Sequence, residues 1–323
     1  MDNLIFSLNA TMPIFFVMVL GYILKKIKFT DAHSTAVINK LVFRVFLPAL
    51  LFMDLAKQDF VSIWDNSFVG FCAVTTIISI LTAALFSLIC KDKSDRGEFI
   101  QASYRSAAAT LGIAFMTNIY DNVAMVALMI IGSVPIYNIV AVLILSLTSP
   151  DVSDESGNNN STKNFSVLFK KTLRNLVTNP IILSIAAGLI WSVFKLPMPK
   201  IIGKSITYLG NVASPLALIG LGSSFEFSDV KKKLLPIIAI NFNKLFLFCA
   251  LFLPLGIYMG FRDEKIVAAL IMLGSATTSS SFIMAKNMGH NGTISSSAVM
   301  TTTLFSSFTL SFWLFILRTF GYI

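Results

Sequence analysis

Five hydroxyl residues in a row, Thr277-Thr278-Ser279-Ser280-Ser281, interrupt an otherwise apolar stretch running from Leu270 to Lys286. At membrane depth such side chains need partners. A helix that unwinds just before them, near Gly274 to Ala276, would let them cap the restarted half-helix. That N-terminus would then offer free N–H groups and the positive end of a dipole to an anion. Ser275, Thr277, Thr278 and Ser279 are therefore candidate substrate ligands. A second stretch, Phe99 to Asn118, also holds Leu-Gly-x-Ala (Leu111 to Ala114, against Leu273 to Ala276), at an offset of 162, and is read as the equivalent helix, with Gly112 near the same site. The alternative is that small residues simply let two helices pack closely.

Charge inside an apolar segment is a functional hint by default. Arg105 lies about two turns before Gly112 and could bind an organic anion, or reach to the inner headgroups. Asn138, in Val134-Pro-Ile-Tyr-Asn138, could face a cavity or hydrogen-bond a neighbouring helix. Pro48 and Pro215 are expected to kink or break their helices. Asp54 is read as solvated near an outer end, His290 as a surface residue, and Lys244 as pairing across helices with no identifiable partner. Paired carboxylates near a span centre, a Walker-type loop and a metal-spaced His/Cys set are all missing from the sequence. An ATP-driven pump, a metal site, a cofactor and an intramembrane enzyme are accordingly not expected.

These residues must be positioned by membrane helices. The chain is 55% hydrophobic and 13% charged, with mean hydropathy +0.79, against about 25% charged for a soluble protein. Apolar blocks long enough to cross a hydrocarbon core fall at 4–24, 35–55, 66–90, 98–118, 123–147, 177–196, 201–223, 234–258, 264–286 and 295–319. The expected fold is an all-α polytopic membrane protein of ten spans. With the N-terminus outside, fourteen Lys and Arg fall in inner loops and seven in outer ones. That bias favours both termini outside, and it explains the net charge of +9 without a nucleic-acid partner. The polar stretch from Ser149 to Asn164 begins a cytoplasmic linker, 149–175, between repeats at 1–148 and 176–323.

The two repeats echo one another. Thr11-Met-Pro-Ile14, with Gly21 and Ile23, recurs 167 residues later as Thr178-Asn-Pro-Ile181, with Gly188 and Ile190, and Pro48 falls on Pro215 at the same offset. Five spans per copy force the second copy to be inverted, an arrangement whose substrate site usually sits at mid-membrane between the halves.

The motifs Asn39-Lys-Leu-Val-Phe-x-Val-x-Leu-Pro48-Ala-Leu-Leu-Phe52, Tyr104-Arg105-Ser106, Pro135-x-x-Asn138, Pro215-Leu-Ala-Leu-Ile-Gly-Leu-Gly222 and Ser281-Phe-Ile-Met-Ala-Lys286 resemble those of the auxin efflux carrier family, the prokaryotic relatives of the plant PIN-formed exporters. The resemblance covers nearly the whole chain. It implies two inverted five-helix repeats with broken, crossing helices 4 and 9, similar to bile acid symporters and sodium/proton antiporters. It also implies transport of a small organic anion, auxin-like or a dicarboxylate such as malate or malonate, by a protein of the plasma or inner membrane, and it is compatible with a homodimer. Ser106 joins the site residues by this resemblance. The family commonly has proline where this chain has Ala114 and Ala276, and asparagine where it has Ser106. Two other readings stay open: a cation-coupled symporter or antiporter, and a non-transporting membrane sensor that retains the fold.

Overall fold

A computed structural model of the chain describes residues 2–57, 64–108, 111, 116, 119–120, 124–149, 178–225 and 233–323. All the regular structure among these residues is helical. The first half contains α1 (Asp2–Lys26), α2 (Ala32–Leu41) and α3 (Leu47–Ala56) joined by a π-helical turn (Val42–Phe46), then α4 (Asn66–Phe86), α5 (Lys93–Tyr104) and α6 (Ala124–Thr148). The second contains α7 (Pro180–Val193), α8 (Lys200–Ser224), α9 (Leu234–Phe242) and α10 (Phe248–Tyr258) joined by a second π turn (Asn243–Leu247). It ends with α11 (Asp263–Gly274), α12 (Ser279–Asn287) and α13 (Thr293–Thr319).

Local chemistry sets the starts of these helices. Asp31 accepts from Ser34 N at 2.7 Å ahead of α2, and Asp65 from Phe68 N at 3.0 Å ahead of α4. Asn179 accepts from Ile181 N at 2.9 Å, with Pro180 at the first turn of α7. Among the described residues, seven helical stretches are long and apolar enough to cross a membrane, and α7 is a shorter apolar helix. One of the seven, Asp263–Asn287, is 89% buried, whereas the others range from 28% to 56%. The broken helix α11–α12 is thus wrapped by protein, and its neighbours keep faces for lipid.

Pro48 and Pro215 do not break their helices. Pro48 follows directly on the first π turn, and α8 runs unbroken through Pro215. Membrane helices tolerate proline where local widening and neighbouring groups take up the freed carbonyl.

Helices α1, α2–α3, α7 and α8 pack as one layer, and α4, α5 and α6 pack with one another. Close approach in the first layer depends on glycine. A Cβ at Gly21 would sit 2.3 Å from the Ile219 carbonyl oxygen of α8, and one at Gly188 would sit 2.9 Å from the Phe52 carbonyl oxygen of α3. These two glycines occupy matching places in the 167-residue echo, and each brings its helix onto the helix that carries the echoed proline of the other half.

The echo shifts only slightly along the chain. α5 and α11 each run 12 residues and begin 170 positions apart. The Leu-Gly-x-Ala match at an offset of 162 is therefore out of register, and Gly112 is not the counterpart of Gly274. Gly112 and Ala114 themselves lie outside the described residues, as do 150–175 of the linker.

Candidate functional site

Two helices stop in mid-chain and leave their ends to be satisfied. α5 ends at Tyr104, with Arg105 to Ala107 non-helical, and α11 ends at Gly274, with Ser275 to Thr278 non-helical before α12. The last four carbonyls of each helix lose their intrahelical partners. Here the two ends serve one another. Thr277 Oγ1 donates to the Ala102 carbonyl at 2.7 Å. The buried Lys244, on the second π turn, donates to the Tyr104 carbonyl at 3.3 Å and the Met272 carbonyl at 3.4 Å, and also to Ser106 Oγ. Ser106 Oγ in turn donates to the Met272 carbonyl. Ala107 N–H donates to the Ala276 carbonyl at 2.8 Å, so the two breaks touch backbone to backbone. A cation beside two helix C-termini is also favoured by their dipoles.

On the starting side of α12, Thr278 is the N-cap, its Oγ1 accepting from Ser280 N at 3.4 Å. Thr277 N–H is taken by Thr302 Oγ1 at 3.0 Å. The hydroxyl run thus caps a restarted half-helix without proline at position 276.

Next to the crossing lies a small cavity of ≈ 70 Å³. Leu47, Leu50, Leu51 and Asp54 line it from one face of α3, and Arg105, Ser106 and Ala107 from the first break. Val134, Tyr137 and Asn138 line it from α6, Ser214 from α8, and Thr278, Ser279 and Ser280 from the start of α12.

Arg105 is the centre of this chamber. It is 2% exposed, and its Nη2 donates to Asn138 Oδ1 at 2.9 Å and Ser280 Oγ at 2.8 Å. Its Nη1 lies 2.7 Å from Met284 Sδ and 3.4 Å from Gln101 Oε1, and its Nε has no partner among the described residues. These four partners are neutral, so the guanidinium charge is hydrogen-bonded but not compensated by them. A buried cation in that condition is costly and invites an anion. Asn138 is held in turn by its own bond to the Val134 carbonyl at 2.9 Å. It both lines the cavity and accepts from Arg105 in the break after α5.

The structure therefore brings Arg105, Ser106, Asn138, Thr278 and Ser279 to one chamber. Ser275 and Thr277 are buried at the crossing but do not line it: Thr277 bonds Ala102 and Thr302, and Ser275 Oγ has no partner among the described residues. Sequence reasoning missed Tyr137, Ser214, Ser280 and, above all, Asp54, which lies half-buried near the end of α3 and lines the chamber. The signal for Asp54 was its spacing from Leu47, Leu50 and Leu51, which puts all four on one helical face. Lys244 finds its partners in two backbone carbonyls and the Ser106 hydroxyl, neutral groups that no charge-pairing rule could reveal. His290 is 3% exposed rather than a surface residue, its ring nitrogens 3.0 Å from the Ser94 and Leu145 carbonyls. Near it, Glu98 accepts from Gly292 N at 2.7 Å and Ser295 N at 2.9 Å, capping α13.

The family model described as "Membrane transport protein" matches residues 6–314. No curated protein matches the chain. Among solved structures, the sodium proton antiporter MjNhaP1 from Methanocaldococcus jannaschii is similar, with a TM-score of 0.64 at 15% identity, over 96% of this chain and 97% of that one. At that identity the likeness shows the fold alone, an all-helical one.

Proposed function

The chain belongs to the membrane transport protein family that includes the auxin efflux carriers, and from that premise we propose that it is a secondary carrier for a small organic anion, working by alternating access. The observation that carries this reading is Arg105: a buried guanidinium with neutral partners, lining a chamber where two broken helices meet. The anion's carboxylate would take up the free edge of Arg105, assisted by Ser279 and Ser280 at the start of α12 and by Asn138. A dicarboxylate such as malonate, or an auxin-like monoanion, fits that chemistry.

In this reading the chain forms two inverted five-helix repeats in a plasma or inner membrane, with both termini outside and the linker cytoplasmic. Layer α1, α2–α3, α7 and α8 would be the fixed scaffold, and the crossing helices would move with the substrate. Uptake of labelled malonate, malate and indole-acetate into proteoliposomes tests it. Saturable flux of one of them, lost in Arg105→Gln, is expected; flux that Arg105→Gln leaves unchanged would sink the site.

A second reading, cation coupling, is favoured by one feature, the carboxylate of Asp54 in the chamber. Flux that follows an imposed Na⁺ or H⁺ gradient would support it, and flux indifferent to both would remove it.

A further inference from the structure

We propose that Asp54 is the internal counter-anion of Arg105 in the unloaded carrier, taking the place of the substrate's carboxylate so that the empty site can change sides. The inference rests on the carrier reading above and gives a role to a residue which that reading leaves unused.

The starting point is charge. Arg105 is buried among neutral partners at the moving crossing. Moving an uncompensated cation through a low-dielectric seam is expensive, and the cost falls when an anion travels or waits beside it. A bound organic anion meets that need in the loaded carrier, but an empty carrier needs another source. Among the described residues, the ionisable groups lining the chamber are Arg105, Tyr137 and Asp54. Asp54 is therefore the one carboxylic acid among them, and the one able to supply a carboxylate to Arg105.

Geometry supports the exchange of partners. Asp54 lies on α3, part of the layer built from α1, α2–α3, α7 and α8, whereas Arg105 lies in the break after α5. The two side chains belong to walls that the carrier reading moves past one another. In the present structure Arg105 Nη2 donates to Asn138 and Ser280, and Asp54 lines the same chamber from α3. The other described elements that line the chamber bring no competing charge: α7 and α8 contribute Ile181 and Ser214, and α12 contributes Thr278 to Ser280. Lys57, one turn beyond Asp54, donates to Thr207 Oγ1 at 3.3 Å, on the same scaffold layer.

The role separates two modes of transport. Exchange of one substrate for another needs only loaded transits, while net uptake also needs the empty return. The test uses full-length protein in proteoliposomes with labelled malonate as the probe, measuring exchange and net uptake side by side. Asp54→Asn, with Asp54→Ser as a second neutral variant, is expected to keep at least half the exchange rate while net uptake falls at least tenfold. Asp54→Glu is expected to restore net uptake. Parallel loss of both modes in the neutral variants, or loss of neither, would overturn the counter-anion role while leaving the carrier reading intact. Failure of the carrier reading looks different: wild-type protein would then show neither mode, and the role of Asp54 would fall with it.

Discussion

Two buried cations meet at the crossing, and their surroundings assign them different work. Lys244 directs its charge at the Tyr104 and Met272 carbonyls and Ser106, groups that would otherwise be buried without partners. Removing it orphans helix ends, at about 1–3 kcal/mol for each unsatisfied group. Arg105 leaves fewer orphans, because Asn138 keeps its bond to Val134 and Ser280 remains 3.2 Å from Thr278 Oγ1. Its own desolvation is not offset by a negative partner among the four groups it touches. Arg105→Met is therefore expected to hold or raise the melting temperature in detergent while abolishing stabilisation by malonate, and Lys244→Met to lower the melting temperature by several degrees. Thermal-shift curves of both variants, with and without ligand, check the pair. A large loss of stability in Arg105→Met with ligand response intact would reverse the assignment.

At the scale of elements, the sequence made legible whatever is signalled locally. The break before α12 could be read because Thr277 to Ser281 is a capping signature next to Gly274. The break after α5 could not, since Arg105-Ser-Ala carries no glycine or proline, and the groups that satisfy it, Thr277 and Lys244, lie far along the chain. The scaffold layer was partly legible, through Gly21 and Gly188. Both meet backbone oxygens at distances no Cβ tolerates, so Gly21→Ala and Gly188→Ala should each cost about 1–3 kcal/mol through overpacking. Unfolding midpoints of the two variants should fall together; an unchanged Gly21→Ala would contradict the packing of α1 on α8. A second tie is electrostatic. Lys265 Nζ lies 2.6 Å from Asp65 Oδ2 and, with the Phe68 N–H, holds the Asp65 carboxyl below its ordinary range. A lowered folded-state value means the stabilisation is present above about pH 4 and is lost as pH falls through that value. Asp65→Asn should accordingly lower the melting temperature slightly at pH 7, with the gap to wild type closing at the acid end of a pH series.

Across the whole molecule, the small chamber and a larger cavity lie along a single seam. α2–α3, α8 and α12 line both. Leu47, Leu50, Leu51, Asp54, Ser214 and Ser279–Ser280 wall the chamber, and Thr35, Lys40, Ser223 and Lys286 wall the second cavity of ≈ 560 Å³. The larger one lies at the ends of α1 and α12 and the start of α2, where Lys25, Lys40 and Lys286 gather three positive charges. In the proposed orientation, with both termini outside, this end of the helices is the inner side, and the proposed carrier would then be open toward the inside. A single-cysteine experiment tests that statement without knowledge of the substrate. Cys72, Cys90 and Cys249 are buried, so background labelling is expected to be low even before they are replaced. Ala36 is exposed and lines the large cavity. Ala36→Cys should react quickly with a membrane-impermeant maleimide in inverted vesicles and stay unlabelled in intact cells. Ser214→Cys, half-buried in the chamber, should react at least tenfold more slowly from the same side. Labelling of Ala36→Cys from outside intact cells would reverse the orientation, and equal rates at the two positions would mean that the seam between the cavities is open to water along its length.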